Sequence, residues 1–294
     1  MKTRHIGNES VGRVEVGAIG LGLMTFDQSG PQPREQLLDT VRAALDAGVT
    51  LFDTADAYGP GELNAGAQGE NEKLIAGLLD ELGVRDQVFL ATKGGHVRTG
   101  GGGGWDTDSS PEHLHSAVDF SLGRLGVERI ALWQHHRPDP EVDYDDVIGT
   151  LKEIADSGKV DRIGLSNANP EQIRAAHAVL GDSLVSVQNQ FSPAFRSSKP
   201  EIEVCEELGL AFLPWSPLGG LNNAKDLSDK HPAFAKVAQS RGVSAQQIAL
   251  AWELAQSPCV IPIPGAKRPS SVTDSAAAAD IELTEEELVS LNAD

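Results

Sequence analysis

An aspartate, a lysine and a histidine stand at the carboxyl ends of three separate apolar segments of this chain. Asp53 ends the first segment, Tyr58 follows it five positions later, and Lys93 and His136 end the other two. A phenol can donate a proton, a nearby ammonium can lower the pKa of that phenol, and a carboxylate can hold the ammonium. His136 adds an imidazole. This set of side chains indicates an enzyme.

The composition describes a globular protein with a strongly acidic surface. The 294 residues include 24 basic and 43 acidic side chains, for a formal net charge of −19, and 40% of the residues are hydrophobic. The charge argues against nucleic acid or an anionic membrane as a partner. Cys205 and Cys259 lie far apart without a Cys-x-x-Cys spacing, so we expect buried thiols and no metal site.

The distribution of apolar residues along the chain predicts where in the cell the protein is located. The amino terminus lacks the apolar run of a signal peptide, and no stretch of about 18 apolar residues occurs. We therefore expect a cytoplasmic protein.

Short apolar runs alternate with amphipathic helical patterns throughout. Strands are predicted at residues 18–23, 50–52, 88–92, 130–134, 162–165, 185–188, 211–214 and 260–263. Helical stretches between them include residues 35–47, 70–82, 111–125, 144–157, 170–180, 200–208 and 245–256. Eight strands separated by helices imply a parallel sheet, and eight is the number that closes a barrel. We therefore expect one α/β domain over residues 1–294, a (β/α)8 barrel.

Local signals mark both ends of the chain. Residues 6–16, with glycines at positions 7 and 12, predict an amino-terminal β-hairpin placed to plug the bottom of the barrel. Thr284 and Glu287 form a capping-box pair that predicts a carboxyl-terminal helix. Ser110 before Pro111 predicts a capped helix start.

A glycine run at residues 100–104 lies in the long segment after Lys93. It lacks the Gly-Lys-Ser/Thr ending of a phosphate loop, and it neither follows a strand directly nor opens a helix as a dinucleotide fingerprint does. We interpret the segment as a mobile flap over the barrel mouth, with Trp105 as a substrate-contacting aromatic. A disordered linker with a surface tryptophan is the alternative.

The motifs of this chain resemble those of the aldo-keto reductase family, in the family's order and over almost the whole sequence. Each motif is moderately specific, and the set in this order is very specific. The motifs are Val16-Gly-Ala-Ile-Gly-Leu-Gly22-Leu-Met, Asp53-Thr-Ala-Asp-Ala-Tyr58-Gly, Thr92-Lys93, Gln134-His-His136-Arg, Gly158-Lys-Val-Asp-Arg-Ile-Gly-Leu-Ser166-Asn167, Val187-Gln188-Asn-Gln-Phe, Pro214-Trp215-Ser-Pro-Leu-Gly and Ile261-Pro-Ile-Pro-Gly265-Ala-Lys.

The resemblance implies a TIM barrel that binds NAD(P)H in extended form without a Rossmann fold. NADP is the expected cofactor and NAD the alternative, and the expected partner is a small carbonyl or sugar substrate that receives hydride. The implied catalytic residues are Asp53, Tyr58, Lys93 and His136. A free phenol with a pKa of about 10 is a poor acid at neutral pH. Lys93 would lower the pKa of Tyr58, Asp53 would keep Lys93 charged, and His136 would orient the carbonyl or assist proton transfer.

Two adjacent histidines have to be distinguished. Neighbouring side chains along a strand point to opposite faces. The family spacing, in which one residue separates Gln134 from the histidine, selects His136. His135 is then structural, or a hydrogen-bonding partner behind the site.

The resemblance also implies the cofactor site. Ser166, Asn167 and Gln188 would bind the nicotinamide carboxamide, since their side chains supply the donors and acceptors that an amide needs. Trp215 would stack on the nicotinamide ring. The remaining implied contacts are Gly22, Leu23, Met24, Ser216, Pro217, Leu218, Gly219, Gly265, Ala266, Lys267, Arg268, Ser271 and Asp274.

One departure from the family concerns the adenosine 2′-phosphate. The arginine that often holds this phosphate falls at Ser271, and the usual Glu-Asn pair falls at Asp274-Ser275. Recognition then rests on Lys267 or Arg268, or is weak enough for NADH to serve.

Two other functions stay open at this point. Barrels of this family also serve as cofactor-binding regulatory subunits, and a lyase or epimerase on oxidised sugars can use the same barrel, because a fold does not dictate a reaction. The sequence leaves the physiological substrate, the direction of the reaction and the oligomeric state open.

Overall fold

The computed structural model describes residues 1–28, 30–60, 67–99, 104–220 and 223–294. Its strands are β1 Thr3–Ile6, β2 Val14–Gly17, β3 Leu21–Gly22, β4 Leu51–Asp53, β5 Phe89–Gly94, β6 His96–Arg98, β7 Trp105–Thr107, β8 Leu132–His135, β9 Ile163–Ser166, β10 Leu184–Gln188 and β11 Ala211–Phe212. Its α-helices are α1 Arg34–Asp46, α2 Glu70–Leu82, α3 Pro111–Leu125, α4 Tyr144–Asp156, α5 Pro170–Leu180, α6 Lys199–Leu208, α7 Leu227–Lys230, α8 Pro232–Arg241, α9 Ala245–Leu254, α10 Pro269–Ala277 and α11 Glu285–Asn292.

Seven strands form one parallel sheet in the order β11-β10-β9-β8-β5-β4-β3. The register places Asp53 beside Gly22 and Ala91, and it places Lys93 beside Gln134. Parallel strands in register bring their carboxyl ends to one edge. The predicted catalytic side chains therefore reach the same end of the sheet.

The eighth predicted strand, at residues 260–263, is an extended segment that closes the barrel without regular strand geometry. Pro262 in this segment and Pro264 directly after it carry no N–H, so a complete ladder cannot form here. The backbone N–H of Ile261 donates to Phe212 O at 2.8 Å, and that of Gly20 donates to Pro262 O at 2.8 Å. A further bond runs from Gly22 N to Pro264 O at 3.1 Å. The (β/α)8 architecture expected from the sequence is confirmed.

The amino-terminal hairpin closes one end of the barrel, as predicted. β1 and β2 pair antiparallel, and Ile6 and Val16 are buried in the same apolar cluster as Leu51 and Phe89, the first residues of β4 and β5. The Nη2 atom of Arg162 donates to the hairpin carbonyl of Val11 at 2.7 Å. The open end of the barrel is therefore the one that carries the strand carboxyl termini.

Several helix boundaries follow their sequence signals. The Ser110 hydroxyl accepts from the backbone of His113, with Pro111 in the first turn of α3. Thr284 and Glu287 make the two reciprocal bonds of a capping box at the start of α11. No helix in the described ranges is both long and apolar enough to cross a membrane.

Helices α7, α8 and α10 were not predicted. The segment of α10 was interpreted only as cofactor-binding, and its Ser- and Ala-rich sequence contains one large apolar residue, Val272. Helix α8 buries only Phe234, Val237 and Ala238 among its ten residues. Proline opens both helices, at a position where its missing N–H costs nothing.

The segment predicted as a flap contains a two-stranded antiparallel sheet. β6 and β7 pair with His96 opposite Thr107 and Arg98 opposite Trp105. Gly95 has a φ of +107°, a conformation that favours glycine, and it turns the chain between β5 and β6. Residues 100–103 of the glycine run lie outside the described residues.

Candidate active site

A buried ion pair joins the ends of β4 and β5. The Nζ atom of Lys93 donates to Asp53 Oδ2 at 2.6 Å and to the backbone carbonyl of Thr54 at 2.8 Å. Both charged side chains are almost fully buried. Burial acts most strongly and lowers the pKa of Lys93, but the charge of Asp53, Tyr58 and the hydrogen bonds to both together outweigh burial and raise this pKa above its ordinary value. Lys93 is therefore a charged ammonium with fixed geometry.

The same ammonium contacts the phenol of Tyr58. The Nζ atom of Lys93 lies 3.3 Å from Tyr58 Oη and 4.8 Å from the centre of its ring. Burial raises the pKa of Tyr58, and the nearby Lys93 charge acts in the opposite direction without cancelling it. The sequence predicts a lowered pKa for Tyr58, but burial outweighs the effect of Lys93. The depth of burial cannot be read from a single segment of the sequence. Tyr58 is a protonated phenol at neutral pH.

The second oxygen of Asp53 is held by two glutamine amides. Gln188 Nε2 donates to Asp53 Oδ1 at 2.8 Å, and Gln134 Nε2 donates to the same atom at 3.2 Å. The two glutamines come from β10 and β8, and both are buried. Gln188 therefore orients the Asp53 carboxylate. It also lines the cavity, where the sequence predicts a contact with the nicotinamide carboxamide.

The two adjacent histidines point in different directions. His136 lines the cavity, and its ring meets the Tyr58 ring edge-on at a centroid distance of 5.8 Å. His135 is buried on the other side, with Nε2 2.9 Å from Ser109 Oγ. Burial lowers the pKa of His136 well below its ordinary value, and the charges of His96 and Lys93 act in the same direction. The imidazole of His136 is therefore neutral at neutral pH.

These groups lie in the wall of a cavity of about 410 Å³ at the open end of the barrel. Ligand pockets commonly have volumes of about 300–1,000 Å³. The predicted site residues that line the cavity are Gly22, Leu23, Met24, Asp53, Tyr58, Trp105, His136, Ser166, Asn167, Gln188, Trp215, Ser216, Pro217, Leu218 and Gly265.

Some lining residues were not predicted from the sequence. They are Thr25, His96, Arg137, Gly220, Ala224, Ile263 and Pro264. Arg137 directly follows His136, just beyond the end of β8, so its place in the sequence could have predicted that it lines the cavity. His96 gave a weaker signal, because its place in the cavity depends on the pairing of β6 with β7.

Other predicted site residues lie outside this lining. Lys93 lies beneath it, and the residues expected at the adenosine end are Gly219, Ala266, Lys267, Arg268, Ser271 and Asp274. Asp274 accepts hydrogen bonds from Ser244 Oγ at 2.8 Å and Gln247 Nε2 at 2.7 Å, which attach α10 to α9. Arg268 precedes α10 as its N-cap residue.

Several features of the cavity are typical of a ligand site. A Cβ atom on Gly22 would lie 2.9 Å from Ile263 O, so glycine lets these two lining segments approach closely. Asn167 and Ser216 adopt left-handed conformations with φ of 59° and 52°. Such backbone strain, about 1–3 kcal/mol per residue, concentrates at ligand sites. The indole N–H of Trp215 is buried and has no hydrogen-bond partner among the described residues.

Comparison with known proteins assigns the chain to a family. The model of the aldo/keto reductase family matches residues 18–293. This chain belongs to the aldo-keto reductase family, a family of oxidoreductases.

Individual relatives cover nearly the whole chain. A 6-dehydroglucose reductase of Novosphingobium aromaticivorans is 35% identical over 284 residues, which are 94% of this chain and 89% of the relative. The aldo/keto reductase of Klebsiella pneumoniae, solved in complex with NADP and acetate, superimposes with a TM-score of 0.80 at 26% identity, covering 99% of this chain and 94% of that one. The glycerol dehydrogenase of Gluconobacter oxydans gives a TM-score of 0.81 at 25% identity, with 99% and 94% coverage.

Proposed function

We propose that the protein is an NADP-dependent carbonyl reductase that converts an aldehyde, ketone or sugar carbonyl to the alcohol, or catalyses the reverse reaction. The observation that carries this proposal is the position of Lys93 Nζ, within hydrogen-bond distance of both Asp53 Oδ2 and Tyr58 Oη. A nicotinamide cofactor supplies the hydride. The chain's own residues supply the proton and stabilise the charge that appears when the proton leaves.

Tyr58 is the general acid in this proposal. A buried phenol with a raised pKa holds its proton until the carbonyl oxygen becomes basic. As the proton leaves, negative charge develops on Tyr58 Oη, and the ammonium of Lys93 at 3.3 Å stabilises this charge. Asp53 keeps Lys93 charged and in place. His136, a neutral imidazole in the cavity wall, orients the carbonyl oxygen by a hydrogen bond.

The cofactor assignment extends the family resemblance to individual residues. Ser166, Asn167 and Trp215 would hold the nicotinamide end, and all three line the cavity. Lys267 and Arg268 would meet the 2′-phosphate, since they are adjacent cations shortly after the cavity-lining Gly265. The NADP bound in the Klebsiella relative supports a nicotinamide cofactor in this site.

The relatives also support a substrate class. One is named for 6-dehydroglucose and another for glycerol, so a sugar carbonyl and a polyol belong in any substrate screen.

A turnover assay with a matched variant tests the proposal. Purified protein is mixed with NADPH and a panel of aldehydes, ketones and dehydro sugars, and the loss of NADPH absorbance is followed. Tyr58→Phe removes the acidic proton but keeps the ring, so it is expected to abolish turnover while NADPH binding, measured by fluorescence titration, changes little. If the variant keeps more than about a tenth of wild-type kcat, Tyr58 is not the acid, because general acid catalysis contributes about 10²–10⁴-fold.

Two other outcomes would replace the proposal. NADPH binding without turnover of any carbonyl compound or alcohol would favour a regulatory subunit. Conversion of an oxidised sugar without net change in the cofactor would favour a lyase or epimerase.

A further inference from the structure

Four rings, those of His96, His136, Tyr58 and Trp105, form a cluster in the wall of the cavity in which each ring contacts two others. The ring of His96 stacks on that of His136, with centroids 3.9 Å apart and planes inclined by 19°. Trp105 lies 5.6 Å from His96 and 6.1 Å from Tyr58 between ring centroids, and Tyr58 contacts His136. Tyr58 and His136 have roles in the proposed mechanism, and Trp105 is predicted from the sequence to contact the substrate, whereas His96 has no role assigned so far.

The backbone around His96 is firmly attached to the loop that carries Tyr58. Gln68 Nε2 donates to His96 O at 3.0 Å, and Arg98 N donates to Gln68 Oε1 at 3.2 Å. The guanidinium of Arg98 donates to the carbonyl of Pro60, two residues beyond Tyr58, at 3.0 Å. The position of His96 relative to the proton donor is therefore built into the fold.

Both stacked imidazoles have unused polar atoms. The Nδ1 atoms of His96 and His136 are buried and have no partner among the described residues, so Nε2 is the nitrogen of each ring that is left for a substrate oxygen in the cavity. Burial lowers the pKa of His96 to about 4, and the charges of Arg137 and Lys93 act in the same direction. A neutral imidazole carries one donor and one acceptor nitrogen, which suits a hydroxyl group better than an anion.

The stacking sets the spacing of these two groups. The two ring centroids lie 3.9 Å apart, which gives the approximate distance between a group that binds one imidazole and a group that binds the other. Oxygens on adjacent carbon atoms of a substrate lie somewhat closer together than that, so each oxygen can reach a different imidazole. If His136 binds the reacting carbonyl oxygen, His96 is placed for the oxygen of the neighbouring carbon.

We propose that His96 determines specificity by hydrogen-bonding a hydroxyl group on the carbon next to the reacting carbonyl, so that the protein prefers α-hydroxy aldehydes and α-hydroxy ketones. This inference rests on the proposed carbonyl reductase function. The 37% exposed ring of Trp105 borders the same space and offers an apolar face to the carbon chain of such a substrate.

Matched substrates test the inference. Hydroxyacetone and butanone differ only by a hydroxyl in place of a methyl group, and glycolaldehyde and propanal form a second pair. For the wild type, kcat/KM is expected to be higher for the hydroxylated member of each pair. His96→Phe keeps a ring that can stack on His136 but removes both nitrogens. It is expected to lower kcat/KM for the hydroxylated members about 3- to 10-fold, the effect of losing one hydrogen bond.

Two further variants make this test specific. His96→Gln restores a donor and an acceptor without the ring, and it is expected to recover part of the preference for the hydroxylated substrates. His115→Phe makes the same substitution on the exposed surface of α3 and should change neither member of either pair. NADPH titration and circular dichroism of each variant verify that the protein is folded and binds cofactor.

Several results would overturn the inference. Equal losses for both members of a pair would show that His96 only shapes the cavity, and equal wild-type values would show that no hydroxyl is recognised. A strong preference for 2-oxo acids that disappears in Arg137→Ala would show that the group recognised next to the reacting carbonyl is a carboxylate, bound by Arg137, instead of a hydroxyl. Each of these results leaves carbonyl reduction intact. Absence of turnover with both members of both pairs, and with the wider panel, would reject the proposed function as well.

Discussion

Gln188 and Asp53 are joined by a 2.8 Å hydrogen bond across 135 positions of the sequence. The amide that family resemblance assigns to the cofactor therefore also fixes the carboxylate that holds Lys93. In the proposed mechanism, cofactor binding and proton transfer therefore share a side chain, and a substitution at Gln188 is expected to affect both.

Gln188→Leu is expected to lower both stability and kcat. The substitution removes a donor from a buried carboxylate, which costs about 1–3 kcal/mol of unfolding free energy. Urea denaturation measures this loss, and the turnover assay measures kcat. Gln134→Leu removes the other donor to the same atom, so the double variant should depart from the sum of the single effects. Strict additivity would mean that the two amides do not share Asp53.

Lys93→Met is expected to reduce kcat at least 100-fold, because the developing phenolate of Tyr58 loses its stabilising cation. The variant also leaves Asp53 as an unpaired buried charge, which costs about 3–5 kcal/mol of stability. Denaturation and turnover assays are run on the same samples.

A double variant separates these two effects. Combining Lys93→Met with Asp53→Asn removes both charges, so stability should partly recover while activity stays low. Recovery of activity in the double variant would contradict a catalytic role for the ammonium.

The adenosine end offers a test of cofactor choice. Replacing Lys267 and Arg268 by alanine is expected to weaken NADPH binding by about one to three orders of magnitude and NADH binding little, since charged hydrogen bonds to the 2′-phosphate are each worth about 1.5–3 kcal/mol. Ser271→Arg is expected to increase the preference for NADPH. Dissociation constants for both cofactors measure these effects.

A control with the same change in net charge comes from the opposite end of the barrel. Arg129 and Lys159 lie near the starts of β8 and β9 and pair with surface carboxylates. Their double replacement by alanine should leave both dissociation constants unchanged. Parallel losses for NADH and NADPH in the Lys267 and Arg268 variant would mean that this pair shapes the loop instead of binding the phosphate.

Buried histidine makes stability depend on pH. Burial lowers the pKa of His135 to about 4, with His96 acting in the same direction. Because the unfolded chain binds a proton at higher pH than the folded one, the contribution of neutral His135 is present above about pH 6.5 and is lost as the pH falls toward 4.

Asp27 titrates in the same pH range with the opposite effect on stability, because burial raises its pKa to about 6. The contribution of His135 therefore has to be measured as a difference between the wild type and a variant. His135→Phe removes the titrating group and leaves Asp27 in place. The unfolding free energy of the wild type minus that of the variant should decrease by about 2–3 kcal/mol between pH 7 and pH 4. A difference that does not change with pH would show that His135 titrates normally in the folded protein.

Much of this architecture could be predicted because it rests on local patterns. Apolar runs and helix caps located the strands and most helices, and strand-end residues such as Asp53 and Lys93 share one edge in any parallel barrel. Helix α7 has only four residues, α8 has weak apolar periodicity, and α10 contains a single large apolar residue, Val272, so none of the three gave a clear helical pattern.

The rest of the site depends on contacts between distant segments. The position of His96 depends on the pairing of β6 with β7, and the second bond of Gln188 depends on the packing of side chains inside the barrel. The raised pKa of Tyr58 depends on how deeply the whole fold buries the phenol. None of these three features has a signature in a single stretch of sequence.

The first and last strand segments of the barrel meet at Pro262 and Pro264, and the opening of the barrel at this contact can be measured. The N–H groups of Gly20 and Gly22 form the bonds to this last segment, and the two prolines have no exchangeable amide of their own. Hydrogen exchange at the two glycines therefore reports directly on separation of the first and last segments. Because a sparse ladder opens at lower free energy than a complete one, these amides should exchange through sub-global opening, before the amides of β8 and β9 at the centre of the sheet.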